Sequence, residues 1–425
     1  MPPTSREFDI VVYGASGFVG RLVAEHLAGH APPGVRVALA GRDQGKLAAV
    51  RGTLGGTAPS WPILLADAGD AAALGHLAAR TRVVATTVGP YAVRGLPLVG
   101  ACAAAGTDYV DLTGEVWFVR TSADRFDAVA KASGARIVHA CGFDSIPSDL
   151  GVYLTWRQAE AAGAGPLGTT TLVMRKAKGG VSGGTIDSLR QQLRMAAADH
   201  AVRRLLADPH ALSPDRAREP PVPPRSFEAD LTWPWRDARL GQWVGPFVMA
   251  PFNTRIVRRS HALLGRVYGP EFRYQEVTGF GTGATAPLKA ALMTIGLGGL
   301  IGGLWCAPTR WLLDRLLPAP GEGPSREARD NGMFALDIVA DTRDGGRCRT
   351  RVAARGDPGY AATSMMIAHS ALSLVLDRDR LPDRAGVLTP AVALGEVLVE
   401  RLRGAGMTFE TLPPRPGARA GGDRR

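Results

Sequence analysis

The sequence predicts an α/β fold: an N-terminal doubly wound parallel sheet of the Rossmann type, then a second, mixed α+β domain. Three observations carry that prediction. The apolar run Phe8 to Tyr13 ends in Gly14-Ala15-Ser16-Gly17-Phe18-Val19-Gly20, which opens a helix-like stretch. Strand-like and helix-like runs then alternate as far as residue 149, the rhythm of a parallel sheet with helical crossovers. Beyond that point the alternation gives way to longer, mixed segments. A chain of 425 residues that is 45% apolar can hold about two or three domains and a sizeable core.

In the first unit, Asp9 to Tyr13 reads as a buried strand, and Val19, Leu22, Val23 and Leu27 share one helix face. Glycines at that strand-to-helix junction permit a tight turn, bring backbone N–H groups close to a pyrophosphate and let the helix pack on the strand. The context separates the loop from an ordinary glycine-rich turn. Gly14, Ala15, Ser16, Gly17, Phe18 and Gly20 are therefore candidate cofactor-binding residues. The second strand, Arg36 to Ala40, ends in Gly41-Arg42, where an NAD-specific site would place a carboxylate for the ribose hydroxyls. Gly41 leaves room for a larger group and Arg42 offers a planar fork suited to a 2′-phosphate, so the expected cofactor is NADP(H). Asp43 reads as the cap of the next helix.

Further strands are expected at Ile63 to Ala66, Arg82 to Thr87, Asp108 to Leu112 and Arg136 to Ala140. Their ends place Asp67, then Thr87-Val88-Gly89-Pro90-Tyr91, then Cys141 to Pro147 at the carboxyl edge of the sheet, where open α/β sheets bind ligands. Asp67, Thr87, Val88, Gly89 and Pro90 join the candidate cofactor set.

The expected division is a dinucleotide-binding domain over 1–149, a substrate domain over 150–412 and a disordered Pro/Gly/Arg-rich tail over 413–425. Strands near Thr170 to Lys176, Phe272 to Gly279, Met333 to Asp341 and Cys348 to Arg355 supply the second sheet. Amphipathic helices are expected at Tyr360 to Leu376 and Pro390 to Arg403, packing back on the first domain. Gly179 to Gly184 reads as a second substrate loop or as a turn before a helix at Thr185 to Ala197.

An apolar insertion, 289–317, interrupts this pattern. No charge lies between Lys289 and Arg310, and the stretch is about long enough to span a bilayer. A single crossing would strand the later strands on the wrong side of the membrane, and five glycines from Gly296 to Gly303 make a poor lone helix. Trp305, Trp311 and the Leu312 to Leu317 region, with Arg310 and Arg315, suit a peripheral element at the cytoplasmic face of a membrane; a buried helix or a homodimer interface is the alternative.

The net charge of +11 comes from 45 Arg against 5 Lys without a groove-reading motif, so nucleic-acid binding is not expected. Cys102, Cys141, Cys306 and Cys348 are too scattered for a metal site or a disulfide framework, and no metal is expected. The polar segment Met1 to Glu7 lacks the apolar core of a signal peptide, which predicts a cytoplasmic protein.

Taken together, Phe8 to Gly20, Ala40-Gly41-Arg42, Thr87 to Tyr91, Gly106 to Glu115, Cys141 to Asp149, Ala250 to Arg259 and Gly386 to Pro390 resemble the saccharopine dehydrogenase-like oxidoreductases. The Arg255 run and the apolar insertion are similar to the branch of trans-acting enoyl reductases of polyketide-derived lipid synthesis. That resemblance implies NADPH-linked reduction of a lipid or acyl chain carried on a polyketide synthase partner. A reductase of imine-linked amino acids and a non-catalytic NADP-binding membrane or scaffold protein are the competing readings.

Enoyl reduction needs a hydride, a donor for the developing enolate oxygen and a proton source for the α-carbon. Tyr91 and Asp144 are the candidate catalytic residues. Tyr91 serves equally well as a packing residue, and Asp144-Ser145-Ile146-Pro147 equally resembles a helix cap. Arg255 and Arg258, with Arg259, fall at i, i+3 and i+4. On a helix they share a face that could meet a phosphopantetheine phosphate or an acidic carrier domain, or could simply be solvated. His139 reads as a strand-end residue.

Overall fold

The computed structural model describes residues 6–416 except 57, 180–182, 223–226, 229, 231–232, 306–308 and 310–322. In chain order the described strands are β1 (Phe8–Tyr13), β2 (Val37–Gly41), β3 (Ile63–Leu65), β4 (Thr81–Thr86), β5 (Asp108–Asp111), β6 (Arg136–Val138), β7 (Leu167–Lys178), β8 (Trp235–Asp237), β9 (Gln242–Pro246), β10 (Arg273–Gly281), β11 (Met333–Thr342), β12 (Gly346–Arg355), β13 (Gly386–Leu388) and β14 (Thr408–Pro416).

The first sheet has the order β13-β6-β5-β4-β1-β2-β3 and is parallel throughout. Its inner strands alternate between two apolar layers, as the two-residue strand period requires. Ile10 and Val12 face the helices Phe18–His30 and Thr363–Leu376. Val11 and Tyr13 face Ala71–Arg80, Tyr91–Ala105 and Val116–Ser133. The second sheet has the order β14-β12-β11-β7-β10-β9-β8, with β7 and β10 parallel and the other neighbours antiparallel. Helix Ile146–Ala161 covers one face, packing on β12 and β11, and the side chains there join the same apolar core as Ile10 and Val12. On the opposite face Asp337 accepts from Arg175, Arg349 and Arg351.

Several expectations need amendment. A division at residue 149 does not describe the first sheet, because β13 arrives from the far end of the chain and pairs with β6. Helix Thr363–Leu376, preceded by a π-helical turn at Pro358–Ala362, is buried almost all round rather than amphipathic; it fills the space over β1, β4 and β5. Residues 413–416 belong to β14, paired with β12, so the disordered tail does not start at 413; 417–425 lie outside the described residues.

The apolar stretch forms helix Ala286–Trp305. Ala290 and Thr294 lie against Gly245 of β9, while Leu288, Leu292 and Ile295 are 61%, 60% and 68% exposed. Only 11% of the window Ala286–Leu304 is buried, so the described part is not a core helix. Arg310, Trp311, Leu312 to Leu317 and Arg315 lie outside the described residues.

Three histidines join the first sheet's helix layer. His26 Nε2 lies 3.1 Å from His369 Nε2, and the His26 and His30 rings stack at 4.1 Å. Burial, reinforced by the neighbouring imidazoles, pushes His26 down to about 3; burial, with Arg401 and His30 nearby, pushes His369 down to about 4. Both rings are thus neutral when folded but bind protons below about pH 6.5 when unfolded. Stability held above that pH is lost as the pH falls toward the folded values. Urea unfolding should show a loss of up to about 4 kcal/mol between pH 7 and pH 5, roughly halved in His369→Gln. Identical pH slopes for the two proteins would refute the linkage.

Candidate active site

The site is built on how closely the glycine loop approaches the end of β4. Gly14 has φ +89, and a Cβ there would sit 2.6 Å from Val88 Cγ2. A Cβ on Gly20 would sit 2.1 Å from the Gly14 carbonyl oxygen and 2.8 Å from Thr87 Oγ1. Thr87 Oγ1 donates to that same carbonyl at 3.3 Å. Helix Phe18–His30 starts directly behind the loop with Gly17 at its N-cap and no side chain capping it. Its first N–H groups are therefore left without a side-chain cap, beside glycines at which a Cβ would clash, which fits a dinucleotide diphosphate. Ala15 is buried beneath the loop, and Ser16 and Phe18 are half-buried beside it.

At the neighbouring strand ends, Gly41 closes β2 and Arg42 follows it, exposed. Asp43 caps helix Gln44–Thr53 by accepting from Lys46 N at 3.0 Å, so it does not take the place of a ribose-binding carboxylate. Asp67, exposed after β3, accepts from Gly69 N. Val88 and the cis-linked Gly89-Pro90 pair lead from β4 into helix Tyr91–Ala105.

Tyr91 does not serve as a proton donor. Its hydroxyl donates to the Thr86 carbonyl at 3.1 Å and accepts from Leu112 N at 3.2 Å, and burial raises its pKa well above the ordinary phenol value. Both polar roles of the oxygen are spent on backbone, so the packing role holds.

Asp144 is differently placed. It is half-buried after β6, with Oδ2 3.4 Å from where a Cβ on Gly114 would stand and Met249 Cε close by. The helix-cap reading fails for it: Ser145 occupies the N-cap of Ile146–Ala161 without capping it, and its hydroxyl donates to Asn253 instead. Asp144 has no hydrogen-bond partner among the described residues. Although its surface is not wholly closed, crowding by protein pushes its carboxyl up to about 7.

Two neighbouring carboxylates show the opposite treatment. Glu115 accepts from Tyr91 N, Ala92 N and Ser188 Oγ at 2.9, 2.7 and 2.7 Å, tying the start of helix Tyr91–Ala105 to helix Gly183–Ala198. Asp111 accepts from Tyr109, Thr113 N, Ala140 N and His139 Nδ1, and His139 Nε2 meets Ser122 Oγ at 2.8 Å. This Ser-His-Asp chain is wholly buried, so it holds strand ends rather than attacking a substrate. It also holds Ala140 at φ +64, a left-handed conformation that aims the following Cys141 to Asp144 turn. Sequence reasoning had singled out neither role, because the partners of Glu115 and His139 lie far away along the chain.

Helix Gly183–Ala198 lies over this edge, with Gln192 donating to the Gly114 carbonyl and Gly183 N donating to the Tyr360 hydroxyl. Residues 180–182 of the Gly179 to Gly184 loop are outside the described residues.

Arg255 and Arg258 are not substrate ligands. On helix Ala250–Leu263 they are 1% and 5% exposed. Arg255 pairs with Asp230 and donates to the carbonyls of Leu206 and Asp208; Arg258 donates to those of Pro209, Glu228 and Tyr274. Arg259 reaches the carbonyls of Leu212 and Val387. These three guanidiniums donate to the carbonyls of Leu206, Asp208, Pro209 and Leu212 and pin that segment to the helix. They are therefore unavailable for the carboxylate pocket that an imine-linked amino acid reductase would require.

Residues 10–138 match the saccharopine dehydrogenase NADP-binding domain family. A Mycobacterium tuberculosis H37Rv protein described as a candidate trans-acting enoyl reductase is 50% identical over 421 residues, covering 97% of this chain and 99% of its own. A trans-acting enoyl reductase of Mycobacterium bovis BCG is 47% identical over 97% of this chain and 99% of its own. The chain belongs to the trans-acting enoyl reductase family. Among solved structures, apo saccharopine dehydrogenase from Saccharomyces cerevisiae superposes with a TM-score of 0.52 at 15% identity, over 95% of this chain and all of that one, which shows a shared fold. With its NADP-binding domain, this trans-acting enoyl reductase homologue is an NADP-dependent oxidoreductase.

If Arg42 holds the 2′-phosphate, Arg42→Ala should weaken NADPH binding about tenfold or more while leaving NADH binding nearly unchanged, as read by fluorescence titration. Equal losses for both nucleotides would sink that role.

Proposed function

We propose that this chain reduces the carbon–carbon double bond of an α,β-unsaturated acyl thioester held on the carrier domain of a separate polyketide synthase. The relatives' name describes an enoyl reductase acting in trans, and the observation that carries the reading here is Asp144. Bound along the glycine loop, NADPH supplies a hydride for the β-carbon. The protein must then deliver a proton to the α-carbon, which requires an acid still protonated near neutral pH. An ordinary aspartate is ionised there; burial holds Asp144 at about 7, as it does Asp149 and Glu276, but those two are tied into hydrogen bonds whereas Asp144 has no hydrogen-bond partner among the described residues and keeps a proton to give. Gly114 leaves open the space in front of its carboxyl, and helix Gly183–Ala198 covers this edge of the sheet. Pre-paid burial of the acid, rather than a charge partner, sets its proton affinity.

The exposed face of helix Ala286–Trp305 supports a second part of the proposal, that the enzyme works at the cytoplasmic face of a membrane. Leu288, Leu292 and Ile295 stand on a helix of mean hydropathy 1.4 whose one charged residue is Lys289, near its start. Burying these three side chains among acyl chains would contribute roughly 3–6 kcal/mol.

Asp144→Asn should lower kcat with a carrier-bound enoyl substrate by about 10²–10³ while leaving NADPH affinity unchanged, and the wild-type rate should fall as pH rises through about 7. Full activity in the variant would remove Asp144 from the chemistry; tight NADPH binding without turnover in the wild type would favour a non-catalytic protein. In flotation with anionic liposomes the wild type should rise with the lipid, and the triple variant Leu288→Ser, Leu292→Ser, Ile295→Ser should stay at the bottom. Equal flotation of both, or of neither, would count against membrane contact, and a dimer lost only in the variant would assign the face to a second copy.

A further inference from the structure

Phe18, the first residue of the helix behind the glycine loop, is enclosed by groups from the second domain. The backbone of Gly323 lies so close that a Cβ there would sit 2.4 Å from Phe18 Cζ. Tyr360 meets the ring edge-on at 4.9 Å. Two guanidiniums lie over the ring: Arg21, one helical turn along, at 5.5 Å and Arg329, from the short helix Arg326–Asp330, at 5.4 Å.

Neither cation is neutralised well. Arg21 has a single long contact with Glu25, 3.6 Å, and its Nε is buried without a hydrogen-bond partner. Arg329 donates through one nitrogen to the Pro324 carbonyl at 2.9 Å and pairs with no carboxylate among the described residues. The loop from Gly14 to Gly20 contains no cationic side chain of its own. A bound dinucleotide brings two diphosphate charges to that loop, and its backbone N–H groups offer only partial charge in return.

We infer that Arg329 is a ligand of the cofactor diphosphate, supplied by the second domain across the Phe18 ring, with Arg21 beside it on the same ring. The inference depends on dinucleotide binding and not on the reaction proposed above. A guanidinium stacked on an aromatic ring keeps its edge N–H groups free for an in-plane anion, so the ring orients the fork without consuming its donors. The backbone of Arg329 is fixed independently, its carbonyl accepting from Asp357 N at 2.8 Å, so side-chain replacement leaves the segment in place.

The test is nucleotide binding to the full-length protein without acyl substrate, followed by calorimetry or fluorescence. Arg329→Met keeps bulk on the ring and removes the charge. It should weaken NADPH and NADH alike by about tenfold, lessen the dependence of NADPH affinity on salt, and leave the nucleotide-free melting temperature unchanged; Arg329→Lys should recover most of the loss. Arg42→Ala, acting at the 2′-phosphate, should instead change the ratio between the two nucleotides. Wild-type affinity in Arg329→Met would overturn the inference and would be the outcome if this cation served a phosphate on the acyl carrier. Loss confined to NADPH would overturn it by moving Arg329 to the 2′-phosphate. A lowered nucleotide-free melting temperature with no recovery in Arg329→Lys would overturn it by showing a packing role.

Discussion

The close approach of the Gly14 carbonyl to Gly20 is the constraint on which the rest of the site depends. With 2.1 Å between that oxygen and any Cβ at position 20, only glycine lets the helix run directly back along β1. That path brings the helix N-terminus to the carboxyl edge of the sheet, and Thr87 fixes the height of the β4 end against the same carbonyl. Everything placed afterwards, from Gly89-Pro90 to the turn before Asp144, is positioned relative to that edge. A larger residue at either glycine would therefore disturb strand spacing as well as cofactor access.

Along the same edge, carboxylates are sorted by how many donors they receive. Asp111 takes four, from Tyr109, Thr113, His139 and Ala140, and Glu115 takes three. Both are architectural: each ties together segments that the chain brings in from distant positions. Asp144, facing Gly114, receives none among the described residues. Burial without donors costs free energy that a purely structural aspartate would recover through hydrogen bonds. The two anchored carboxylates hold the frame, while Asp144 is left without a donor among the described residues to stabilise a negative charge.

What the sequence made legible was local. β1, the glycine loop and the Arg42 position follow from residues within a few positions of one another, as does the Asp43 cap. β13 could not be read, because three residues join the sheet only by pairing with β6, about 250 positions earlier. The arginines at 255, 258 and 259 misled for a related reason. Helical spacing correctly placed them together, but whether a cationic face meets solvent, ligand or backbone carbonyls depends on Leu206, Pro209 and Leu212, which lie 49, 49 and 47 positions from the arginines they meet. At Tyr91 the two readings differed only in the partners of one oxygen, and those partners are backbone groups at 86 and 112. The Asp144 cap motif failed because the Ser145 hydroxyl found Asn253 across the domain boundary.

The same long-range connections limit how the molecule can open. Ile10 and Val12 of the first sheet share one continuous core with Leu172, Leu336, Ile338 and Val352 of the second, and helix Thr363–Leu376 is buried against the first sheet while its preceding turn meets Phe18. Separating the two sheets as rigid bodies would expose that core, at about 25 cal/mol for each Å² of apolar surface. Helix Gly183–Ala198 is held to the site edge by hydrogen bonds from Ser188, Gln192 and Gly183, and its Ile186 and Ala196 are buried. Because Ser188 bonds the Glu115 carboxylate that also holds Tyr91 N and Ala92 N, any shift of this helix would be felt at the Gly89-Pro90 turn after β4.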